Sequence, residues 1–138
     1  MNPTPPMRMA IDVGIVVTDL ERALSFYRDR VGLVVVAELS TSLIGKGRMV
    51  QLQHGTSRIK LIELAAAPLV AVPSDIAAAL GYRYITLLIA DVVGMIAKLT
   101  ASGVTVVIPV TQLDNGAMIA MVKDPDGNVV EFVQEPVG

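Results

Sequence analysis

Two spacings of apolar residues alternate along the chain, and the change from one to the other predicts its strands and helices. Residues 9–17 form a nearly unbroken apolar run, which predicts a strand. Apolar residues then recur every three or four positions, as on one side of a helix. These positions are Leu20, Ala23, Leu24, Tyr27 and Val31. Thr18 and Glu21 match a capping box, so the helix is predicted to begin there, and Gly32 suits its end.

Three more apolar segments follow the helix, and each predicts a strand. They lie at residues 33–39, 48–53 and 58–64, separated by a polar loop and a Gly-containing turn. The first half of the chain therefore has the order strand, helix, strand, strand, strand, which we write βαβββ.

The second half repeats this order. Residues 84–90 predict a strand, Asp91 predicts a helix cap, and residues 104–110, 117–122 and 129–134 predict three further strands. A shift of 72 positions places four apolar helix positions of the first half on those of the second. A repeat of this length predicts two copies of one structural unit, neither of which can bury its apolar face alone.

These boundaries divide the chain into four parts. Residues 1–8 are Pro-rich and predict a flexible lead-in, residues 9–64 form the first unit, residues 65–83 connect the units, and residues 84–135 form the second. We expect the two units to make one domain over residues 9–135, because 138 residues are about the length of one domain.

Each unit has a carboxylate embedded in its last strand, Glu63 in the first and Glu131 in the second. Before Glu131 comes the tight turn Asp124-Pro125-Asp126-Gly127, in which Pro fixes φ and Gly supplies a positive φ. An ionised carboxylate among apolar residues is costly unless it is paired or hydrogen-bonded. We interpret Glu63 and Glu131 as equivalent positions of the repeat and predict that both face a cleft.

The composition limits the classes of partner. Apolar residues make up 53% of the chain, which predicts a large cavity wall or a buried subunit interface, and we expect a homodimer. The net charge is −2 without a basic cluster, which argues against nucleic acid and anionic membranes as partners. No uncharged apolar run is long enough to span a bilayer, and no signal-peptide pattern is present, so we expect a cytoplasmic protein. Thiolate metal ligands are excluded because the chain has no Cys.

The paired units, the helix entry at residues 17–21, the strand Ile62-Glu63-Leu64 and the closing residues 124–131 together resemble the vicinal oxygen chelate superfamily. That family includes glyoxalases, bleomycin resistance proteins and extradiol dioxygenases, and the resemblance covers about residues 9–135. It implies an α+β fold in which two βαβββ repeats form curved mixed sheets around a cleft. Such motifs are specific for the fold and poor guides to the function.

The resemblance also implies a set of site residues. Members that use a metal take four ligands from the first and fourth strands of the two units, commonly His, Glu or Gln, His and Glu. The two Glu positions are kept here as Glu63 and Glu131, whereas the two His positions hold Asp12 and Tyr84. Asp12, Glu63, Tyr84 and Glu131 are therefore the candidate site, and both expected imidazoles are replaced.

Three chemistries remain open for such a site, because three converging carboxylates would repel one another. The first is a divalent metal ion held by oxygen ligands, in a metal-dependent lyase or dioxygenase. The second is acid–base chemistry without the usual His-ligated metal, of an isomerase, epimerase or lyase type next to a carbonyl. The third is non-catalytic binding of a small, largely apolar molecule, such as an antibiotic. The sequence favours the second, an enzyme acting on a small, largely apolar substrate.

Overall fold

The computed structural model describes residues 7–137, so most of the predicted lead-in lies outside the described residues. The first unit consists of β1 (Val13–Val16), α1 (Leu20–Leu24) with a π-helical continuation (Ser25–Arg30), β2 (Val34–Thr41), β3 (Gly47–His54) and β4 (Ser57–Leu64). The second consists of β5 (Tyr84–Leu88), α2 (Val92–Ala101), β6 (Val106–Gln112), β7 (Met118–Lys123) and β8 (Val129–Gln134). A single 3₁₀ turn (Ile76–Ala78) lies in the connector between them.

Each unit folds its strands into one four-stranded mixed sheet. The strand order is β1-β4-β3-β2 in the first sheet and β5-β8-β7-β6 in the second. The first and last strands of each unit run parallel, because the helix carries the chain back across the sheet, and the remaining pairs are antiparallel hairpins. The predicted α+β architecture with two βαβββ repeats is confirmed.

Both long helices begin at an Asp. The Asp91 side chain accepts a hydrogen bond from Gly94 N, which confirms the predicted cap. In the first unit Asp19 accepts from the backbone N–H groups of Glu21 and Arg22. The predicted capping box starting at Thr18 is therefore wrong by one residue, and Asp19 satisfies the free N–H groups of the first turn instead.

One hydrophobic core joins the two units. It collects the buried sides of both helices and one face of each sheet, which we call the inner face. In β4 the inner face carries Ile59 and Leu61, and in β8 it carries Val130 and Phe132. The opposite face of each sheet, which we call the open face, carries the residues in between, because side chains alternate along a strand.

A buried polar contact also ties the units together. The Tyr27 hydroxyl donates to Asp124 Oδ2 at 2.7 Å, across the boundary between α1 and the turn that leads into β8. Burial and the negative charge of Asp124 raise the pKa of Tyr27 well above its ordinary value, so the hydroxyl stays protonated and remains a donor. Across residues 7–137, no helix is long and apolar enough to cross a membrane.

Candidate functional site

The hydrogen bonds between the first and last strands fix which positions of the two units correspond. Val17 N donates to Ile62 O in the first unit, and Ile89 N donates to Val133 O in the second. The donors are 72 residues apart and the acceptors 71 apart. Along the last strand the repeat is therefore shifted by 71 positions, so Lys60 is the counterpart of Glu131.

Side chains at the strand ends give the same correspondence. Glu63 Oε2 accepts a hydrogen bond from Leu20 N at 2.7 Å, and Gln134 Oε1 accepts one from Val92 N at 3.0 Å. Each interaction satisfies the first N–H of a helix. The counterpart of Glu63 is thus Gln134, and the predicted equivalence of Glu63 and Glu131 is wrong. That prediction aligned residues 68 apart, three positions out of register, which exchanges the two faces of a strand.

Glu63 lies on the inner face of β4, where its side chain reaches the first residue of α1. Its carboxylate accepts from Leu20 N at 2.7 Å and is 3.7 Å from Arg48 Nη2. A negative charge at a helix N-terminus is favourable because the helix dipole is positive there. The structure therefore gives Glu63 a capping contact, away from the open face.

Glu131 lies on the open face, because its neighbours Val130 and Phe132 belong to the core. The hydroxyl of Thr86, on the adjacent strand, donates to Glu131 Oε1 at 2.7 Å. Glu131 is half-buried, so this carboxylate remains partly accessible to a ligand.

Asp12 is held by basic and backbone donors. Arg8 Nη2 is 2.6 Å from Asp12 Oδ2, and Arg58 N donates to Asp12 Oδ1 at 2.8 Å. The hydrogen bond from Arg8 is the largest cause that lowers the pKa of Asp12 to about 2, and the positive charge of Lys60 also contributes. A carboxylate with so low a pKa is a weak base at neutral pH.

The four predicted residues are brought together only in part. Asp12 and Glu131 belong to the open faces of different sheets, Tyr84 stands half-exposed on the edge strand β5, and Glu63 is on an inner face. In the part of the chain that the structure describes, no three His, Asp or Glu side chains lie close enough to share a metal ion. The donor set therefore does not fit a metal bound in the way that the resemblance implies.

The edge strands β1 and β5 lie beside each other, because residues of both line the same two cavities. Alternate residues of a parallel strand bond the same neighbour, so Gly14 and Val16 of β1 direct their N–H and C=O groups away from β4. By the same alternation Tyr84 and Thr86 of β5 direct theirs away from β8. We call the space between these two edges the seam.

A cavity of about 250 Å³, here the seam cavity, lies at one end of the seam. Its walls include residues 13–16 of β1 and residues 84–85 of β5, together with Tyr82 and Arg83 just before β5. The lining is completed by Tyr27, Val72, Asn128 and Val129. Most of this lining is apolar or aromatic. A second cavity of about 340 Å³ lies at the other end and is lined in part by His54, Arg58 and Thr86.

The lining of the seam cavity carries one positive charge. Arg83 is the one charged residue in its lining, and no Asp or Glu contributes to that wall among residues 7–137. The Arg83 guanidinium donates to the carbonyls of Ile76 and Asp75, at 2.8 and 3.0 Å, which fixes the connector beside the cavity.

The sequence did not single out Gly14, and it left Lys60 and Arg83 outside the candidate site. A signal for Lys60 was present in the pattern of core residues. Ile59 and Leu61 flank Lys60 as Val130 and Phe132 flank Glu131, so aligning apolar residues rather than Glu residues gives the correct register.

Comparison with known proteins agrees with this architecture. The family model described as Glyoxalase/Bleomycin resistance protein/Dioxygenase superfamily matches residues 11–132. A glyoxalase family protein from Bacillus cereus is 24% identical, covers 99% of each chain and has a TM-score of 0.79. Comparison with curated protein sequences gives no significant match.

Two further solved structures differ in the activity that their names state. The trypanothione-dependent glyoxalase I of Leishmania major is 24% identical, with 90% of this chain and 84% of that chain covered and a TM-score of 0.69. TnmS3, an antibiotic binding protein from Streptomyces sp. CB03234, is 26% identical, with 90% and 93% covered and a TM-score of 0.65. The fold is therefore shared by proteins named as enzymes and by proteins named as binders.

Proposed function

Because the chain belongs to the Glyoxalase/Bleomycin resistance protein/Dioxygenase superfamily, we propose that it binds a small, largely apolar molecule in the seam cavity without transforming it. The observation that carries this proposal is the cavity itself, about 250 Å³ with mostly apolar and aromatic walls. Ligand sites in proteins are typically concave, mainly apolar and furnished with a few polar groups.

The dispersion of the predicted site residues supports binding over catalysis. Proton transfer needs a base within hydrogen-bond reach of the reacting atom. Asp12 is committed to Arg8, and Glu63 to the start of α1. The similarity to an antibiotic binding protein, at 26% identity, agrees with a sequestering role.

Titration of the ¹⁵N-labelled protein with 2-naphthamide, a neutral aromatic amide, tests the proposal by NMR. We expect saturable shifts of the amide signals of Gly14, Val16 and Tyr84, because these residues line the seam cavity. The compound should be recovered chemically unchanged after prolonged incubation. Shifts confined to other surfaces, or no saturable shift with any apolar probe, would contradict binding in the seam cavity.

A second function has one specific observation in its favour. Glu131 is half-buried on the open face, with Thr86 donating to one carboxylate oxygen at 2.7 Å, and its other oxygen is available to accept a proton. This arrangement supports an enzyme in which Glu131 is the general base, taking a proton from the carbon next to a carbonyl. Tyr84, on the same strand as Thr86, is the candidate donor to the developing oxyanion.

A deuterium-exchange experiment distinguishes the two functions. With 2-tetralone, an aromatic ketone, in D₂O, a catalytic Glu131 would accelerate exchange of the α-protons, and Glu131→Gln would abolish the acceleration while the fold persists. For a binding protein we expect exchange at the buffer rate both in the wild type and in Glu131→Gln.

A further inference from the structure

The charges around the seam cavity indicate the chemical class of its ligand, an inference that rests on the proposed binding function. We propose that the ligand is an apolar molecule with one anionic group, such as a carboxylate, held by Arg83 at the cavity wall and by Lys60 beside it. The chain as a whole carries a net charge of −2, so a positive site is a local feature.

Arg83 supplies the first positive charge. Its guanidinium donates to backbone carbonyls of the connector, including Asp75 O at 3.0 Å, and it forms no ion pair with any Asp or Glu in the described part of the chain. Backbone carbonyls leave its net charge uncompensated. Of the five N–H donors of an arginine, some remain free for a ligand.

Lys60 supplies the second positive charge. It is the counterpart of Glu131 in the repeat, so a cation stands where the other unit has a carboxylate. Its cross-strand neighbour on β1 is Gly14, which lines the seam cavity. Neighbouring strands are about 4.8 Å apart, and the flexible four-carbon stem of a lysine spans such a distance.

Gly14 leaves the path from Lys60 to the cavity open. Apart from the two chain neighbours, a Cβ at this position would have only Ile62 Cδ1 within 4 Å among residues 7–137, at 3.8 Å, which is an ordinary van der Waals contact. Lys60 forms no ion pair within the described residues. Its ammonium group is therefore available to a ligand at the mouth of the cavity.

The nearby carboxylates lie outside the lining of the seam cavity. Asp12 is paired with Arg8 at 2.6 Å, and Glu131 accepts from Thr86 on the other sheet. The buried Asp124 accepts from Tyr27 and Asn128. Arg58, two residues from Lys60, adds a further cation on the open face, with its guanidinium donating to Gln51 Oε1 at 3.1 Å. An anionic group inside the cavity is attracted to Arg83, the charged residue of its lining.

Two probes of the same shape test the proposal, 2-naphthoate with a carboxylate and 2-naphthamide with a neutral amide. We expect the wild type to bind 2-naphthoate more tightly than 2-naphthamide in NMR titrations. Lys60→Met should weaken 2-naphthoate binding about ten-fold, because a hydrogen bond to a charged group is lost, and should change 2-naphthamide binding less than two-fold. Lys98→Met, which removes an exposed lysine on α2, is the matched control and should change neither.

The outcomes separate this inference from the function on which it rests. If 2-naphthamide binds in the seam cavity as tightly as 2-naphthoate and Lys60→Met leaves 2-naphthoate binding unchanged, the anionic class is wrong and the binding function stands. If neither probe binds there, the binding function fails and the inference fails with it. Weakening of 2-naphthoate by Lys98→Met to the same extent as by Lys60→Met would mean that only net charge matters, which also overturns the assignment.

Discussion

At the scale of single residues, the fold does not require a glycine at position 14, whereas the proposed ligand binding does. A glycine within a strand costs about 0.5–1 kcal/mol relative to alanine, and nothing at this position demands one, because an added Cβ would only touch Ile62. Packing gives no reason for a glycine here, whereas an open path between Lys60 and the seam cavity does.

Gly14→Val is therefore expected to block binding without unfolding the protein. We predict at least a ten-fold loss of affinity for 2-naphthamide, because the new side chain enters the cavity. The free energy of unfolding, measured with denaturant, should stay unchanged or rise by up to about 1 kcal/mol. Unchanged affinity in a folded Gly14→Val variant would place the ligand elsewhere.

The ion pair between Asp12 and Arg8 predicts how the free energy of unfolding changes at acid pH. The pKa of Asp12 is lowered from 3.8 to about 2, chiefly by the hydrogen bond from Arg8. A lowered folded-state pKa gives stability that is present above pH 4 and is lost as the pH falls from about 4 to about 2. The difference in unfolding free energy between wild type and Asp12→Asn should shrink over that window, and a difference that is constant from pH 6 to pH 2 would contradict the pairing.

At the scale of elements, the helices and the turn before β8 show what local sequence can and cannot predict. The strand and helix order follows from apolar spacing, because each element buries one face against a common core. The π-helical continuation at Ser25–Arg30 was not predicted. There Val31 N donates to Phe26 O at 2.8 Å, and the apolar spacing of the sequence does not distinguish this wider turn from an α-helix.

The contact between Tyr27 and Asp124 is expected to hold the two units together. Asp124 also accepts from the backbone N–H groups of Asp126 and Asn128 and from the Asn128 side chain. Tyr27→Phe removes one donor from a buried carboxylate, and we predict a loss of about 1.5–3 kcal/mol in the free energy of unfolding. A loss below about 0.5 kcal/mol, the usual range for surface substitutions, would show that the contact contributes little to stability.

The candidate site was harder to predict than the fold, because it depends on the register of the strands. Treating Glu63 as the equivalent of Glu131 matched residue types. The pairing of β1 with β4 and of β5 with β8 instead makes Lys60 the equivalent of Glu131. A strand has a period of two, so an error of three residues moves a side chain from one face to the other. In the structure, long-range hydrogen bonds such as Val17 N to Ile62 O fix the register.

At the scale of the whole molecule, the surface retains apolar residues that the core does not use. Leu69, Val70, Leu80 and Tyr82, in or next to the connector, are almost fully exposed. Several fully exposed apolar side chains within one short segment are typical of an interaction surface. We propose that a second copy of the chain covers this segment, in agreement with the homodimer expected from the composition.

Sedimentation velocity measures this assembly. The wild type is expected to sediment as a dimer at micromolar concentration, and Leu69→Asp combined with Leu80→Asp should shift it to a monomer, because a charge in a buried apolar contact is costly. A monomeric wild type, or a double variant that still dimerises, would show that the connector does not form the interface.

The most direct test of the account is a crystal structure of the protein with 2-naphthoate. We predict density for the rings in the seam cavity, between Gly14 and Tyr84, with the carboxylate about 2.7–3.5 Å from the charged nitrogens of Arg83 or Lys60. Rings bound away from the seam, or a carboxylate directed away from both cations, would contradict the account.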